Sequence, residues 1–296
     1  MEKYFLKSAF RSLMFLAGLA NFIPTLSSPL VWASDFQSSR TSALGGAGHA
    51  APVLTDAIYQ NPSYIAMIPV RAMSLNYLTY PVGVSTGPFD AYDSYKNNYN
   101  LAAQISSRES QVQYGIGYTQ RENLSNINAV ISIGSTDQFS IGFGTKIVLP
   151  ANGLGTNLVD LNFSMSGIAN EWFRAALMID NLVESGQAMG LYREVTLGTK
   201  FNLSVIQLYL DPLWVPSFSQ SNWGYELGVE YPFFDYFFLR LGTFSNAAIP
   251  YQSQRGDGFG TGIGIMMPSF SVNYAYSQVI QPTASFAHHF ETTFYF

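Results

Sequence analysis

The residues best suited to chemistry in this sequence are three histidines, His49, His288 and His289, and the chain has no cysteine. A nucleophilic hydrolase needs a serine within hydrogen-bond reach of a histidine and a further group that orients the imidazole. No serine pattern near His288 and His289 meets this need, and His49, which follows a glycine turn, is expected to pack in the interior. Three histidines without cysteine also argue against a dedicated transition-metal site. The sequence therefore predicts no enzyme, no metal and no cofactor.

Two opposite charges, Glu230 and Arg240, flank the turn PFFDY. Both have the parity of the polar face of their segments, so they can approach each other diagonally on neighbouring strands. We predict a structural ion pair in the interior, with the alternative that Arg240 anchors an interior segment or a ligand carboxylate. Lys146, Lys200 and Glu226 share this parity and are expected to be structural.

The composition favours a barrel that faces lipid. The 296 residues include 14 Lys or Arg and 19 Asp or Glu, so the formal charge is −5 and the charged fraction is 11%, against about 25% in ordinary soluble domains. A hydrophobic fraction of 48% excludes disorder, and an acidic chain lacks the basic patch that nucleic acid requires. No apolar run beyond residue 40 approaches the roughly 20 residues of a spanning helix. The 46 aromatic residues (23 Phe, 19 Tyr and 4 Trp) and 25 glycines fit a membrane barrel instead.

From residue 71 onward, apolar and polar residues alternate with a period of two over segments of about ten residues, as in the strands of transmembrane barrels. We predict an all-β fold, a transmembrane antiparallel up-and-down β-barrel of about fourteen strands, with twelve or sixteen as alternatives. Connections after odd-numbered strands are the longer ones, so we place them outside the cell. The predicted strands are 71–83, 98–107, 111–121, 126–135, 138–149, 157–168, 172–182, 190–203, 205–215, 222–231, 236–245, 257–267, 270–279 and 286–296.

The same alternation assigns each residue to a face. In segment 139–149, Ile141 is expected to face lipid and Gly142 the lumen. A mid-membrane arginine costs about 2–4 kcal/mol, so we expect Ile141→Arg to be far more damaging than Gly142→Ser.

The N-terminal 70 residues differ from the strands. Residues 1–33 combine basic residues, a short apolar stretch and a small-residue cleavage site, which predicts a secretory signal peptide. Residues 34–70 are rich in Ala and Gly, and we predict that they form a plug in the lumen of a barrel spanning 71–296. Gly45, Gly46 and Gly48 predict a tight turn. Thr55 is expected to cap a short helix over 56–60, and Asn61-Pro62 to open a second one through residue 66.

The last strand carries Phe290, Phe294 and Phe296 on one face. A terminal amphipathic strand that ends in Phe resembles the signal read by the barrel assembly machinery of the bacterial outer membrane. We therefore expect the outer membrane as the location, with its lipid and that machinery as partners.

Three segments resemble the FadL-like and PorV-like outer-membrane proteins. RTSALGGAG with DAIYQNPSYIA resembles their N-terminal signature, and YELGVEYPFFDYFFLRLGTF and GFGTGIGIMMPSFSVNYAYS with HHFETTFYF resemble PorV-like hairpins. The resemblance implies a fourteen-stranded barrel with an N-terminal lumenal plug. It also implies one of two functions. FadL-like proteins bind small hydrophobic compounds and let them pass the outer membrane, partly by lateral exit through the wall. PorV-like proteins serve a secretion system and bind exported proteins for surface attachment. We take transport or binding of a hydrophobic small molecule as the leading prediction and the secretion or anchoring role as the alternative.

Overall fold

Fourteen antiparallel strands close into a ring. A computed structural model describes residues 36–81, 95–107, 109–121, 124–134, 138–150, 156–187, 191–218, 221–252 and 255–296. Each strand pairs with its neighbours in sequence, and β1 pairs with β14, so the predicted fourteen-stranded up-and-down barrel is confirmed. The strands are β1 (Ala72–Pro81), β2 (Tyr95–Ile105), β3 (Val112–Gln120), β4 (Leu124–Gly134), β5 (Phe139–Pro150), β6 (Leu158–Ile168), β7 (Phe173–Asp180), β8 (Glu194–Asn202), β9 (Gln207–Trp214), β10 (Trp223–Phe233), β11 (Phe237–Ala248), β12 (Arg255–Met266), β13 (Phe270–Gln281) and β14 (Ser285–Tyr295). Among the described residues, no helix is both long and apolar enough to cross a membrane.

The connections define two ends of the barrel. We call the end that holds the start of β1 and the C-terminus the turn end, and the opposite end the loop end. The connections after β3 and β13 lie at the loop end but have only three residues each, so the predicted alternation of long and short connections is wrong at these two places. After β3, the N–H of Arg121 donates to the carbonyl of Leu124 over 2.9 Å, which joins the ends of β3 and β4. The predicted signal peptide and the whole connection after β1 (82–94) lie outside the described residues.

The largest shift in a predicted strand start is in β8, which begins at Glu194 and not at residue 190. Before the strand, the N–H of Leu191 donates to the carbonyl of Gly186 over 3.1 Å. Leu191 is buried in a small cluster with Leu124 and Val148, which holds it away from the strand ladder.

The two faces of the wall have opposite character. The outward face exposes large apolar side chains, and the inward face is polar and buried, so the predicted assignment of faces is correct. Ile141 is partly exposed, whereas Gly142 is buried on the lumen side. Outward residues include Leu75, Leu101, Ile116, Phe143, Leu161, Leu197, Leu241 and Ile263; inward residues include Asn76, Asn100, Asn128, Asn162, Ser164, Asp211, Glu230 and Asn273.

Residues 36–70 fill the interior of the ring, and we call this segment the plug. It contains helix α1 (Ser39–Ala43), a 3-10 turn (Leu54–Asp56), helix α2 (Ala57–Gln60) and a 3-10 helix (Pro62–Met67). Helix α1 packs against β11 to β14, and the second 3-10 helix packs against β3 to β6 near the turn end. An apolar cluster inside the barrel has eight members from the plug and three from the wall: Leu44, Ala47, Ala51, Ala57, Ile58, Tyr64, Ile65 and Met67, with Ala102, Val130 and Tyr209.

Short helices form near the predicted places in the plug, and Asn61 and Pro62 take the predicted N-cap and first positions of the second one, but neither Thr55 nor Asn61 caps a helix through its side chain. The Thr55 hydroxyl donates to Ser74 of β1 over 2.7 Å instead of capping α2. Asn61 makes no side-chain cap, and Pro62 takes the first position of the 3-10 helix. Helix α1 was not predicted at all; Ser38 caps it by accepting the N–H of Thr41.

Candidate functional site: the junction of plug and wall

The plug backbone lies directly against glycines of the wall. A Cβ atom at Gly142 of β5 would lie less than 3.0 Å from the backbone of Ser63, and one at Gly242 of β11 would lie equally close to the backbone of Leu44. Real Cβ contacts are essentially never this short, so these positions accept only glycine while the plug stays in place. Because Gly142 faces plug backbone and not open lumen, Gly142→Ser is damaging as well, and the expectation that it is far less damaging than Ile141→Arg is wrong.

The glycine turn of the plug uses the same close fit. Gly45, Gly46 and Gly48 all have positive φ angles, of 67°, 94° and 130°, which L side chains rarely adopt. A Cβ atom at Gly45 would also meet the backbone of Thr243 in β11 at 2.6 Å. The three glycines thus let the chain reverse inside the barrel in contact with the wall.

A buried charge network joins the plug to the wall. Glu230 of β10 and Arg240 of β11 lie directly opposite each other, and not diagonally as predicted. Arg240 donates Nε to Glu230 Oε2 over 2.6 Å and Nη1 to the Oδ1 of Asn273 over 2.8 Å. Arg40 of α1 donates its own Nε to the same Glu230 oxygen over 3.1 Å. The link from wall to plug is therefore made by Arg40 through Glu230, with Arg240 as the second cation.

Arg40 stays charged in this interior. It is 2% exposed, and burial alone would lower its pKa, but the charge of Glu230 and the hydrogen bond to it raise that pKa above its usual value. Its Nη2 also donates to the hydroxyl of Tyr209 over 2.8 Å. A buried arginine held in this way depends on its partners, since removal of one member of such a pair costs about 3–5 kcal/mol.

His49 follows the glycine turn and meets two carboxylates of the wall. Its Nδ1 lies 2.8 Å from Oδ2 of Asp211 in β9 and 3.6 Å from Oε2 of Glu226 in β10. Burial tends to lower the pKa of His49, but the hydrogen bond to Asp211 and the charges of both carboxylates raise it to about 9. The prediction that His49 packs in the interior understated its role, because the sequence does not show that the plug turn reaches β9.

Asn61 and its neighbours make the third polar junction. The Nδ2 of Asn61 donates to the carbonyl of His49 and to Ser166 Oγ of β6, both over 2.7 Å. The backbone N–H of Ser63 donates to Ser164 Oγ over 2.8 Å, and the hydroxyls of Ser63 and Ser166 are 2.7 Å apart. Asn61 thus links two parts of the plug to the wall, while Pro62 lies against Gly142.

The two C-terminal histidines do not form a catalytic arrangement. His289 is 2% exposed and lies between two serine hydroxyls, with Nδ1 3.1 Å from Ser42 Oγ and Nε2 3.0 Å from Ser277 Oγ. Sequence reasoning missed Ser42, which comes from α1. Because the second nitrogen meets another hydroxyl and not a carboxylate, the imidazole lacks the orienting acid of a nucleophilic triad. His288 contacts the hydroxyl of Tyr274 on the other side of the strand.

The three C-terminal phenylalanines lie on the outside. Phe290 and Phe294 are 46% and 51% exposed, and Phe296 is 81% exposed at the turn end. Phe290 packs against Tyr77 and Tyr274 on the same outer face.

The described residues line two small cavities beside the plug, both in the half of the barrel nearer the loop end. One, of about 20 Å³, lies between the start of the plug at Phe36 and the wall of β14, β1, β2 and β3. The other, of about 10 Å³, lies beside Ser42 and the ends of β11 and β13. Neither is lined by residues of the 3-10 helix Pro62–Met67, which fills the half nearer the turn end.

The wall has an interrupted ladder between β8 and β9. Pairing is regular up to Thr196 with Leu213 and resumes at Thr199 with Leu210. Pro212 has no N–H to donate, and the N–H of Thr199 donates instead to the Asp211 side chain over 3.1 Å. This interruption lies where His49 of the plug meets Asp211.

Comparison with known proteins gives structural but not sequence relatives. No family model matches the chain, and no curated protein matches its sequence. The fold is similar to that of the Ralstonia pickettii toluene transporter TbuX, with 12% identity over 88% of this chain and 99% of that one, and a TM-score of 0.65. The CymD monoaromatic hydrocarbon channel gives 11% identity, coverages of 91% and 99%, and a TM-score of 0.62. The Pseudomonas putida toluene transporter TodX gives 10% identity, coverages of 90% and 99%, and a TM-score of 0.62.

These neighbours confirm the predicted FadL-like fold, a plugged barrel of fourteen strands.

Proposed function

We propose that this chain is a bacterial outer-membrane protein that binds small hydrophobic compounds and passes them across the membrane when its plug moves. The observation that carries this proposal is the contrast inside the barrel. The wall is polar, whereas most of the buried apolar cluster comes from the plug. A hydrophobic compound entering at the loop end would find apolar partners chiefly on the plug, so displacement of the plug provides both the opening and the binding surface.

The class of compound follows from the structural neighbours. TbuX and TodX are named as toluene transporters and CymD as a monoaromatic hydrocarbon channel. We propose small hydrophobic molecules of this size as the first compounds to test. The outward apolar face supports contact with outer-membrane lipid, with the turn end in the periplasm and the loop end outside.

The interrupted ladder between β8 and β9 supports a lateral exit from the lumen. Its missing pairs lower the number of hydrogen bonds that must break there, and Leu197 on its outer face is exposed toward lipid. The alternative function, a PorV-like component that binds exported proteins, receives no support from the comparisons.

A reversible lock on the plug tests the proposal. The chain has no cysteine, and the hydroxyls of Ser63 in the plug and Ser166 in the wall are 2.7 Å apart, a separation that a disulfide can bridge. We expect the oxidised Ser63→Cys/Ser166→Cys variant to lower uptake of radiolabelled toluene to the level of cells without the protein. A reducing agent should restore uptake.

The two single-cysteine variants are the matched controls and should behave like the wild type under both conditions. Uptake by the oxidised double variant at the wild-type rate would show that the plug need not move. No rise in toluene uptake on expression of the wild type would contradict the transport function itself.

We also propose that residues 1–33 are removed as a signal peptide and that the last strand directs assembly. Phe290, Phe294 and Phe296 form an exposed aromatic face next to the turn end, accessible to an assembly factor in the periplasm. Deletion of Phe296 should lower the yield of folded barrel without altering any lumen contact. An unchanged yield of the heat-modifiable band in outer membranes would contradict this.

A further inference from the structure

Three side chains with metal-ligand atoms converge where the plug turn meets β9 and β10. They are His49 of the plug, Asp211 and Glu226, and their nearest ligand atoms all lie within 4.8 Å of one another. All three residues are buried, with exposures of 8%, 0% and 5%. The Oε2 of Glu226 points at His49 Nδ1 yet accepts no hydrogen bond from the described residues. A buried carboxylate oxygen without a hydrogen-bond donor is costly, and His49 Nδ1 lies closer to Asp211 than to this oxygen, so the oxygen is open to a further ligand interaction.

Backbone N–H groups hold the Asp211 carboxylate in place. Oδ2 of Asp211 accepts the backbone N–H groups of Gly48 and His49 over 2.7 and 2.9 Å, and its Oδ1 accepts that of Thr199 over 3.1 Å. Such outer contacts orient a metal-binding carboxylate and are typical of real sites.

Space for Glu226 is provided by a glycine of the plug. A Cβ atom at Gly46 would collide with the carboxylate of Glu226. On the other side, a Cβ atom at Gly198 of β8 would lie 2.8 Å from the Cβ of His49. The two glycines therefore allow His49 and Glu226 to approach each other.

Two carboxyl groups, those of Asp211 and Glu226, face a single imidazole in this cluster. The nearest further pair, Glu194 with Arg255, is already neutral. A divalent ion would match the two carboxylates and would leave the imidazole neutral, the form in which it binds metals.

We propose that His49, Asp211 and Glu226 bind a divalent transition-metal ion of the Zn²⁺ type at the junction of plug and wall. An imidazole nitrogen with two carboxylate oxygens suits such ions, whereas Mg²⁺ and Ca²⁺ prefer oxygen ligands alone. Metal bonds of about 2.0–2.2 Å set ligand atoms roughly 3–4 Å apart, close to the 2.8 and 3.6 Å observed from His49 Nδ1. This proposal replaces the expectation of no metal site, which rested on the small number of histidines and the lack of cysteine. It goes beyond the transport function because the metal would link the plug to strands β9 and β10.

The test is Zn²⁺ binding by the untagged, folded full-length mature protein after treatment with a chelator. We expect one Zn²⁺ per chain by calorimetry and elemental analysis. His49→Gln and Glu226→Gln should each weaken binding by at least about 10-fold, since even outer contacts of metal sites are worth 10–100-fold. The matched control is His289→Gln, which removes another buried lumenal histidine that contacts only serines; it should bind Zn²⁺ like the wild type.

No saturable Zn²⁺ binding by the wild type, or equal binding by His49→Gln and His289→Gln, would overturn the proposal. If the cluster variants do not fold, X-ray absorption of the Zn²⁺-loaded wild type decides. One imidazole with oxygen neighbours supports the site, and an all-oxygen shell contradicts it.

Discussion

Arg40 and Glu230 link the plug to the barrel wall across a buried Nε–Oε2 distance of 3.1 Å, although 190 residues separate them in the chain. Glu230 also accepts the Nε of Arg240 over 2.6 Å. The Glu230 carboxylate thus compensates the charges of two buried guanidinium groups, so its loss would affect both Arg40 and Arg240.

The first prediction compares the two ends of this link. Glu230→Gln leaves both Arg40 and Arg240 buried without their carboxylate, whereas Arg40→Met keeps the pair of Glu230 with Arg240. Removing one partner of a buried pair costs about 3–5 kcal/mol, so we expect Glu230→Gln to destabilise the folded barrel clearly more than Arg40→Met. The measurement is the temperature at which the folded band converts to the unfolded band on gels. Equal midpoints for the two variants would show that Glu230 does not serve both cations.

The second prediction concerns the close fit of plug and wall. Gly142→Ala places a methyl group into the backbone of Ser63. Gly167→Ala in β6 places one 3.9 Å from the carbonyl oxygen of Gln138, which is an ordinary van der Waals contact. We expect Gly142→Ala to displace the plug, raising protease cleavage within residues 55–67, and Gly167→Ala to leave cleavage unchanged. Identical cleavage patterns would mean that the plug does not rest on β5.

The third prediction concerns pH. Burial raises the pKa of Asp56 to about 6, against an ordinary value of 3.8, although Arg40 and the hydroxyl of Ser38 oppose the shift. The folded state therefore binds this proton more tightly than the unfolded state, so the contribution of Asp56 favours folding at low pH and is lost as pH rises from about 4 to about 6.

Asp56→Asn should remove that dependence while Ser38 keeps an acceptor. The expected result is a smaller fall in the thermal midpoint between pH 4 and pH 7 than in the wild type. A fall of the same size in both proteins would contradict the raised pKa.

The fourth prediction concerns the outward face. Ile263 lies in the middle of β12 with 56% exposure, and Val205 lies in the connection between β8 and β9 at the turn end with 61% exposure. An arginine on the lipid face costs about 2–4 kcal/mol at the membrane centre and about 0–1 kcal/mol near the interface. We expect Ile263→Arg to reduce the yield of folded protein in lipid vesicles strongly and Val205→Arg to change it little. Equal yields would place the membrane centre elsewhere.

The fifth prediction concerns the plug as a closure. A barrel of eight strands is filled by its own side chains, while sixteen strands leave an aqueous channel. Deletion of residues 40–66 should therefore turn a nearly closed protein into an open pore in planar bilayers, provided that the variant still shows a heat-modifiable band. High conductance of the intact protein, or no increase in the folded deletion variant, would contradict closure by the plug.

The barrel was predictable because lipid and lumen impose a period of two on every strand. Within segment 139–149, the alternation alone places Ile141 outside and Gly142 inside, as observed. Repetition of that pattern along the chain predicts the fourteen strands. The predicted alternation of long and short connections fails only after β3 and β13, where the connections are short.

The contacts of the plug were not predictable in the same way. The plug has no repeating pattern, so nothing local shows that His49 reaches Asp211 or that Arg40 reaches Glu230. The sequence of the wall does contain two signals. Asp211 has inward parity and precedes a proline that interrupts the pairing of β8 with β9. Inward glycines such as Gly242 mark positions where the plug backbone approaches the wall. These features mark contact positions on the wall, but the partner in the plug depends on the tertiary path.

The pairing of β1 with β14, which is the seam that closes the barrel, has a consequence for biogenesis. Ala72 at the start of β1 pairs with Tyr295 at the end of β14, so the first and last strands meet only when nearly the whole chain has been made. The plug directly precedes β1, yet it contacts strands on opposite sides of the ring. If the barrel closed first, the plug would have to enter the closed barrel from one end and then pack against the inward-facing glycines of the wall. We therefore expect the strands to wrap around their own N-terminal segment before the seam closes, so that the insertion machinery releases a barrel that is already filled.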